Sequence, residues 1–148
     1  IRKCLVKQLS MQPKDNIWLN GCFDVLHMGH IKMFQRARQM GGRVIVGIDT
    51  DERIASAKGE GRPVNNLKNR MEFLHSIKYI DEVWEFANDK ELIELIKHNS
   101  PRYMLIGDDY KDKKIIGSEY IKEIIYVPRY QGLSSSDIIN GTYKTPYL

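Results

Sequence analysis

Two kinds of hydrophobic pattern alternate along this chain. Short, densely apolar runs predict strands: "NIWLNGCF" (16–23), "RVIVGI" (43–48), "EVWEF" (82–86), "RYMLIGDD" (102–109) and "IIYVP" (124–128), the β-branched 43–48 run most clearly. Between them, apolar residues recur at helical spacing in "GHIKMFQRARQM" (29–40), closed by Gly41-Gly42, in "NLKNRMEFLHSIKYI" (66–80) and in "NDKELIELIKHN" (88–99). Asn88 and Glu91 stand at capping-box spacing at the head of the last. Shorter helical stretches are predicted near 50–56, in "GSEYIKEI" (117–124) and from "SSSDIIN" (134–140) onward, with "SAKGEGRPV" (56–64) a basic, glycine-containing loop. Strands alternating with helices, and apolar enough to be covered on both faces, predict an α/β fold with a doubly wound parallel sheet. In such sheets ligands gather at the carboxyl ends of the strands. Three polar clusters, 20–30, 107–110 and 129–136, fall at such ends, which predicts that they meet in one site.

Composition narrows the function classes. The 148 residues suit one domain spanning 1–148, with no repeat and no low-complexity linker. Hydrophobic residues at 42% and charged residues at 28% are those of a globular protein. No apolar run approaches the ~20 residues of a membrane span. The first ten residues are too polar for a signal peptide. Cys4 and Cys22 form neither a metal spacing nor a disulfide framework, so reduced thiols and a cytoplasmic location are expected. The net charge of +4 suits an anionic ligand such as a nucleotide, and equally a merely solvated surface. No basic arm or basic face interleaved with aromatics points to nucleic acid.

The densest chemistry lies in "NGCFDVLHMGH" (20–30). Gly21 and Gly29 allow a tight turn and close approach of backbone to a ligand. The helix starting near Gly29 aims free N–H groups and a partial positive charge at the strand end, where an anion would sit. His27 and His30, three apart, face the same way there, and two imidazole donors suit charge developing on a phosphate. The pair alone could equally be structural, or two ligands of a metal, although no third ligand stands at recognisable spacing, so no protein metal site is expected.

The complete string Gly-Cys-Phe-Asp-x-x-His-x-Gly-His is more specific than the pair. It resembles the signature of the cytidylyltransferase-like nucleotidylyltransferases, and the resemblance runs from about Trp18 to Ile139. "KGEGRPVNNLKNRM", "GDDYKDKKIIGSE" and "GLSSSDII" are similar to the adenylyltransferase domain of ADP-heptose synthases. "GHIKMFQRARQMGG", "GDDY" and "VPRYQGLSSS" are also similar to glycerol-phosphate cytidylyltransferases. The resemblance implies a Rossmann-like domain of nucleotidylyltransferase type that joins ATP or CTP, with Mg2+, to a phosphorylated small molecule and releases pyrophosphate, and it implies a homodimer. It implies that His27, His30, Lys58 and Arg129 serve catalysis. It assigns the nucleotide to Gly21, Cys22, Phe23, Gly29, His30, Gly107, Asp109, Arg129, Leu133, Ser134, Ser135 and Ser136, and the acceptor to Asp24, Lys58 and Arg70. Where the family carries Ser-Thr-Thr, this chain has three serines, which keeps the hydroxyls and drops two methyls.

Read from the residues alone, each of these has a plainer alternative. Arg70 falls inside the apolar stripe Leu67, Met71, Leu74 and Ile77, so it needs an anion or a carboxylate partner indoors, and a structural ion pair would meet that need. Lys58 and Arg62 are loop cations that the resemblance turns into phosphate clamps. Asp24 reads as a turn carboxylate, Cys22 as strand packing, and Asp108 and Asp109 as a strand-end turn in which Asp109 is favoured for the ligand. The three serines read as helix capping. A phosphate monoester is already largely dianionic at neutral pH, its second pKa being ~6. It can therefore attack a phosphorus without a general base, and the chain shows no nucleophilic triad. The ADP-sugar version is favoured by Gly117-Ser118-Glu119 and "GRPV", with a CDP-alcohol enzyme as the alternative. A nucleotide-binding module without turnover is the alternative of another class. A tRNA-synthetase fragment, which shares His-x-Gly-His, is disfavoured because "IKMFQ" is no Lys-Met-Ser-Lys loop.

Overall fold

The computed structural model describes residues 4–6 and 15–142, with side chains described from residue 15 onward except at Gln131. Six strands form one sheet: β1 (Cys4–Val6), β2 (Asn16–Gly21), β3 (Arg43–Asp49), β4 (Glu82–Phe86), β5 (Tyr103–Gly107) and β6 (Glu123–Val127), in the order β1-β4-β3-β2-β5-β6. β2 to β6 are parallel, as the alternating pattern predicts. β1 adds an antiparallel edge on β4, pairing Leu5 with Val83, within a segment that offers too short an apolar run to announce a strand.

The helices α1 (Met28–Gln39), α2 (Asp51–Lys58), α3 (Leu67–Ser76), α4 (Asp89–Asn99) and α5 (Ser135–Ile139) complete the alternation. Side-chain alternation along the strands divides the core in two. Ile17 and Leu19 of β2, with Val44, Val46 and Ile48 of β3, pack with Phe34 of α1 and with Met71 and Leu74 of α3. Trp18, Ile45 and Met104 point to the other face, against Leu92, Leu95 and Ile96 of α4. The sheet is therefore wound on both faces. Asn88 caps α4 by accepting from Glu91 N at 2.9 Å, and Glu91 Oε2 returns the bond to Ala87 N.

Several predicted boundaries shift, each for a visible reason. The 66–80 helix stops at Ser76, because the chain must turn before Asp81 N bonds Val44 O and β4 begins. The predicted 117–124 helix shrinks to a 3-10 turn at Ser118–Tyr120, since Glu123 N is claimed by Arg102 O to start β6. The 16–23 strand ends at Gly21, and Phe23 takes a left-handed backbone conformation, φ 49°. Lys58, predicted in a loop, is the last residue of α2.

One feature of the register positions the site. β2 pairs six residues with β3 but only Ile17 and Trp18 with β5. The two strands part beyond Trp18, and the sheet order reverses direction there. The crevice between their carboxyl ends is the position where open α/β sheets bind ligands.

Candidate active site

The chain leaves β2 through Cys22, Phe23 and Asp24 and enters α1 with His27 as its N-cap. His27 Nδ1 accepts from Gly29 N at 3.1 Å, and His30 Nδ1 accepts from His27 N at 3.2 Å. The rings lie 3.9 Å apart between centroids, tilted by 30°. An Nδ1 that accepts a backbone bond leaves the proton of the neutral ring on Nε2, so the local fold selects the tautomer of both histidines. Gly29 is required for this arrangement: a Cβ there would stand 2.8 Å from the His27 ring. Phe23 packs edge-on against His30, 5.4 Å between centroids, and its strained left-handed backbone carries the ring beneath the imidazole.

Both imidazoles are held neutral. Burial, then the charge of Arg129, lowers the pKa of His27. Burial, then His27, lowers that of His30 from 6.5 to about 3. A base whose pKa falls on folding resists a proton that the unfolded chain accepts. Its contribution to stability is thus complete above pH 6.5 and is lost as pH falls toward about 3. We expect His30→Gln to flatten the wild-type loss of stability across that window, measured by urea unfolding at stepped pH. An unchanged slope would contradict the buried neutral ring.

The 129–136 segment folds over the head of α1. Lys32 lies 5.9 Å over the Tyr130 ring, and Ser135 Oγ donates to Val25 O at 2.7 Å, two residues from His27. Leu133 is buried beside Gly29. Arg129 is half-exposed, and its guanidinium stands 3.8 Å from Asp109, across the crevice from β2. Asp109 belongs to the 3-10 turn after β5, and a Cβ on Gly107 would meet its Oδ1 at 2.5 Å. Of the serines, Ser134 accepts from Asp137 N and caps α5, Ser135 is the strut to Val25, and Ser136 faces the cleft beside Lys58. The capping reading of the serines therefore describes Ser134, and five-residue α5 adds little dipole.

Asp24 and Arg70 sit behind the site rather than on its surface. Asp24 is buried, and its carboxylate accepts from Arg62 Nε, Val64 N and Asn65 N, each at 2.9 Å. Burial pushes this carboxyl up, but the two backbone N–H groups and Arg62 outweigh it and hold its pKa below the usual value. Arg70 is fully buried. Its Nε donates to Asn65 O at 2.9 Å, Nη1 to Cys22 O at 2.9 Å and to Asp49 O at 2.8 Å, and Nη2 to Asp51 Oδ1 at 2.6 Å. The inward arginine that the stripe predicts thus ties the ends of β2 and β3 to the loop and to α2.

Asp49 is the site residue that the sequence reading misses. Its position at the carboxyl end of β3 was the available signal. Burial pushes its carboxyl up, opposed by Arg53, whose Nε donates to it at 2.6 Å. Burial, then the Asp49 charge, pushes the pKa of the nearby Cys22 thiol up to about 11. Almost no Cys22 thiolate exists at neutral pH. We expect native Cys22 to resist alkylation by iodoacetamide at pH 7.5 and to label fully in denaturant, with the adduct located by mass spectrometry. Fast native labelling would contradict this environment. The thiol of Cys4 lies outside the described residues.

The three predicted clusters therefore meet at one crevice: Gly21 to His30 from β2 and α1, Gly107 and Asp109 from β5, and Arg129 to Ser136 from the last segment. Lys58 enters from α2. Among the described residues no three His, Cys, Asp or Glu side chains group closely enough to hold a metal ion. No helix among them is long and apolar enough to cross a membrane.

The sequence model of the cytidylyltransferase-like family matches residues 18–141. The chain belongs to that family. Its curated relatives include the bifunctional protein HldE of Helicobacter hepaticus, 39% identical over 129 residues, which are 87% of this chain and 27% of that protein. HldE of Nitratiruptor sp. is 37% identical, over 90% of this chain and 29% of its own length. The chain thus spans somewhat over a quarter of these relatives. Among solved structures, the fold is shared with a lipopolysaccharide core biosynthesis protein of Thermoplasma volcanium, TM-score 0.61 at 18% identity, covering 78% of this chain and 98% of that one. It is shared too with the pantothenate synthetase of Thermus thermophilus, TM-score 0.60 at 15% identity, covering 87% and 63%. As a cytidylyltransferase-like domain the chain has its matched region starting at Trp18, inside β2, and ending just beyond α5.

Proposed function

We propose that this domain transfers a nucleoside monophosphate from ATP or CTP to a phosphorylated sugar of the heptose 1-phosphate type, releasing pyrophosphate. The observation that carries the reading is the pair of neutral, tautomer-fixed histidines at the strand-switch crevice, with Arg129 beside them. The similarity to proteins named HldE supports a sugar phosphate as acceptor.

The chemistry needs alignment more than bond-making groups. An oxygen of the acceptor phosphate attacks the α-phosphorus, and the bond from that phosphorus to the bridging oxygen breaks, leaving with pyrophosphate. The Nε2 protons of His27 and His30 are donated to oxygens gaining charge in that step. Arg129 and Ser136 hold the triphosphate, Lys58 bridges it to the acceptor phosphate, and Asp109 with the ends of β2 and β5 holds the nucleoside. Magnesium, when bound, would neutralise charge on the triphosphate that Arg129 and Ser136 would hold. The test is pyrophosphate release with ATP and with CTP against sugar 1-phosphates and polyol phosphates. Release with CTP and glycerol phosphate would instead move the domain to CDP-alcohol synthesis.

A further inference from the structure

A cleft of about 530 Å³ lies between the chain following α2 and helix α5, lined among others by Lys58, Glu60, Arg62, Ser136, Ile139 and Asn140. Its volume falls within the ~300–1,000 Å³ range of small-molecule sites. Ser135, the neighbour of Ser136 in its lining, donates to Val25 O, two residues before His27.

Arg62 gives the cleft its meaning. The side chain is only 13% exposed, and Nε is fixed on Asp24. Its terminal nitrogens form no hydrogen bond among the described residues. A nearly buried guanidinium with unused donors calls for an anion, and its planar fork matches a phosphate. Lys58 supplies a second cation on the same lining. The remaining polar groups are of the opposite character. The Glu60 carboxylate only accepts, so it needs ligand O–H groups and repels a second phosphate. The Asn140 amide both donates and accepts, and Ile139 offers an apolar surface to C–H groups.

Resting on the transfer reading above, we propose that this cleft is the acceptor subsite, that it takes a singly phosphorylated, polyhydroxylated molecule, and that Arg62, Glu60 and Asn140 set that choice. Asp24 is a positioning residue, because its carboxylate holds Arg62 and the backbone at 64 and 65 in place.

The test is steady-state pyrophosphate release by wild type, Asn140→Ala, Glu60→Ala and Arg62→Lys, with a sugar 1-phosphate as acceptor. Loss of one neutral hydrogen bond predicts a ~2–10-fold rise in acceptor KM for Asn140→Ala, and loss of the guanidinium's charge-assisted fork, with the charge itself kept, a ~10–100-fold rise for Arg62→Lys. Nucleotide KM stays within about twofold, since none of the three is placed on the nucleotide. Glu60→Ala also strengthens inhibition by the corresponding sugar bisphosphate. Asn140 is exposed, so its substitution probes the cleft even where Arg62→Lys weakens the fold. Unchanged acceptor KM in Asn140→Ala and Glu60→Ala, or nucleotide KM rising in step, overturns the proposal. If wild type is silent with every pair, the transfer reading fails, and calorimetric titration with the sugar 1-phosphate alone decides the cleft. Heat that Asn140→Ala weakens upholds the subsite, and no heat overturns it.

Discussion

His30→Ala is expected to lower kcat by about 10²–10³-fold, the cost of removing one preorganised donor to transition-state charge. The structure gives the reason in detail. Nδ1 of His30 is engaged by the His27 backbone, so Nε2 alone is available, and burial keeps the ring neutral to well below physiological pH. Such a donor needs no reorganisation when charge develops, and it stays in the same tautomer throughout. Nucleotide KM should change far less than kcat, because the bond strengthens in the transition state more than in the ground state. Glutamine places an N–H donor near the Nε2 position without the ring, so His30→Gln should recover part of the loss. Single-turnover measurement of pyrophosphate formation separates this from slow product release. Equal chemical rates for His30→Ala and wild type would remove the histidine from the mechanism.

Arg70→Met should destabilise the domain by about 3–5 kcal/mol, the range seen when one partner of a buried charged network is removed. The substitution strips hydrogen bonds from three backbone oxygens, of Cys22, Asp49 and Asn65, and leaves Asp51 without its cation. Two of those oxygens belong to the residues that close β2 and β3, so the damage falls on the walls of the crevice. Arg70→Lys should recover little, because a single ammonium cannot serve four acceptors spread over two strands, a loop and a helix. Urea unfolding monitored by tryptophan fluorescence measures the difference: Trp18 is buried in the core. A loss below about 1 kcal/mol would contradict the framing role. In that event a rise in acceptor KM alone would favour direct contact with the acceptor phosphate.

These two residues also show what was legible in the sequence. The stripe of α3 placed Arg70 indoors from spacing alone, because a 3.6-residue period fixes which face a residue occupies. Its partners were hidden, because three of the four come from positions 19, 21 and 48 residues away, and three are backbone oxygens that no side-chain pattern reports. The histidine pair was visible through its local spacing, while the direction of both Nδ1 atoms depended on cap geometry at α1. The parallel sheet was legible from its apolar runs. Edge strand β1 was not, because three residues carry too little periodicity and its partner β4 lies some eighty positions away. Lys58, Arg62 and the serines could be named singly, but only the fold shows that they line one cleft. Asp49 escaped notice because a lone carboxylate at a strand end has no motif around it.

Pyrophosphate release by the wild-type domain, with magnesium and ATP or CTP against sugar 1-phosphates and polyol phosphates, tests the central claim most directly. The account predicts release that requires both a nucleotide and a singly phosphorylated sugar and that collapses in His30→Ala. Binding of nucleotide with no pyrophosphate from any pair would contradict it and leave a nucleotide-binding module built on the same crevice.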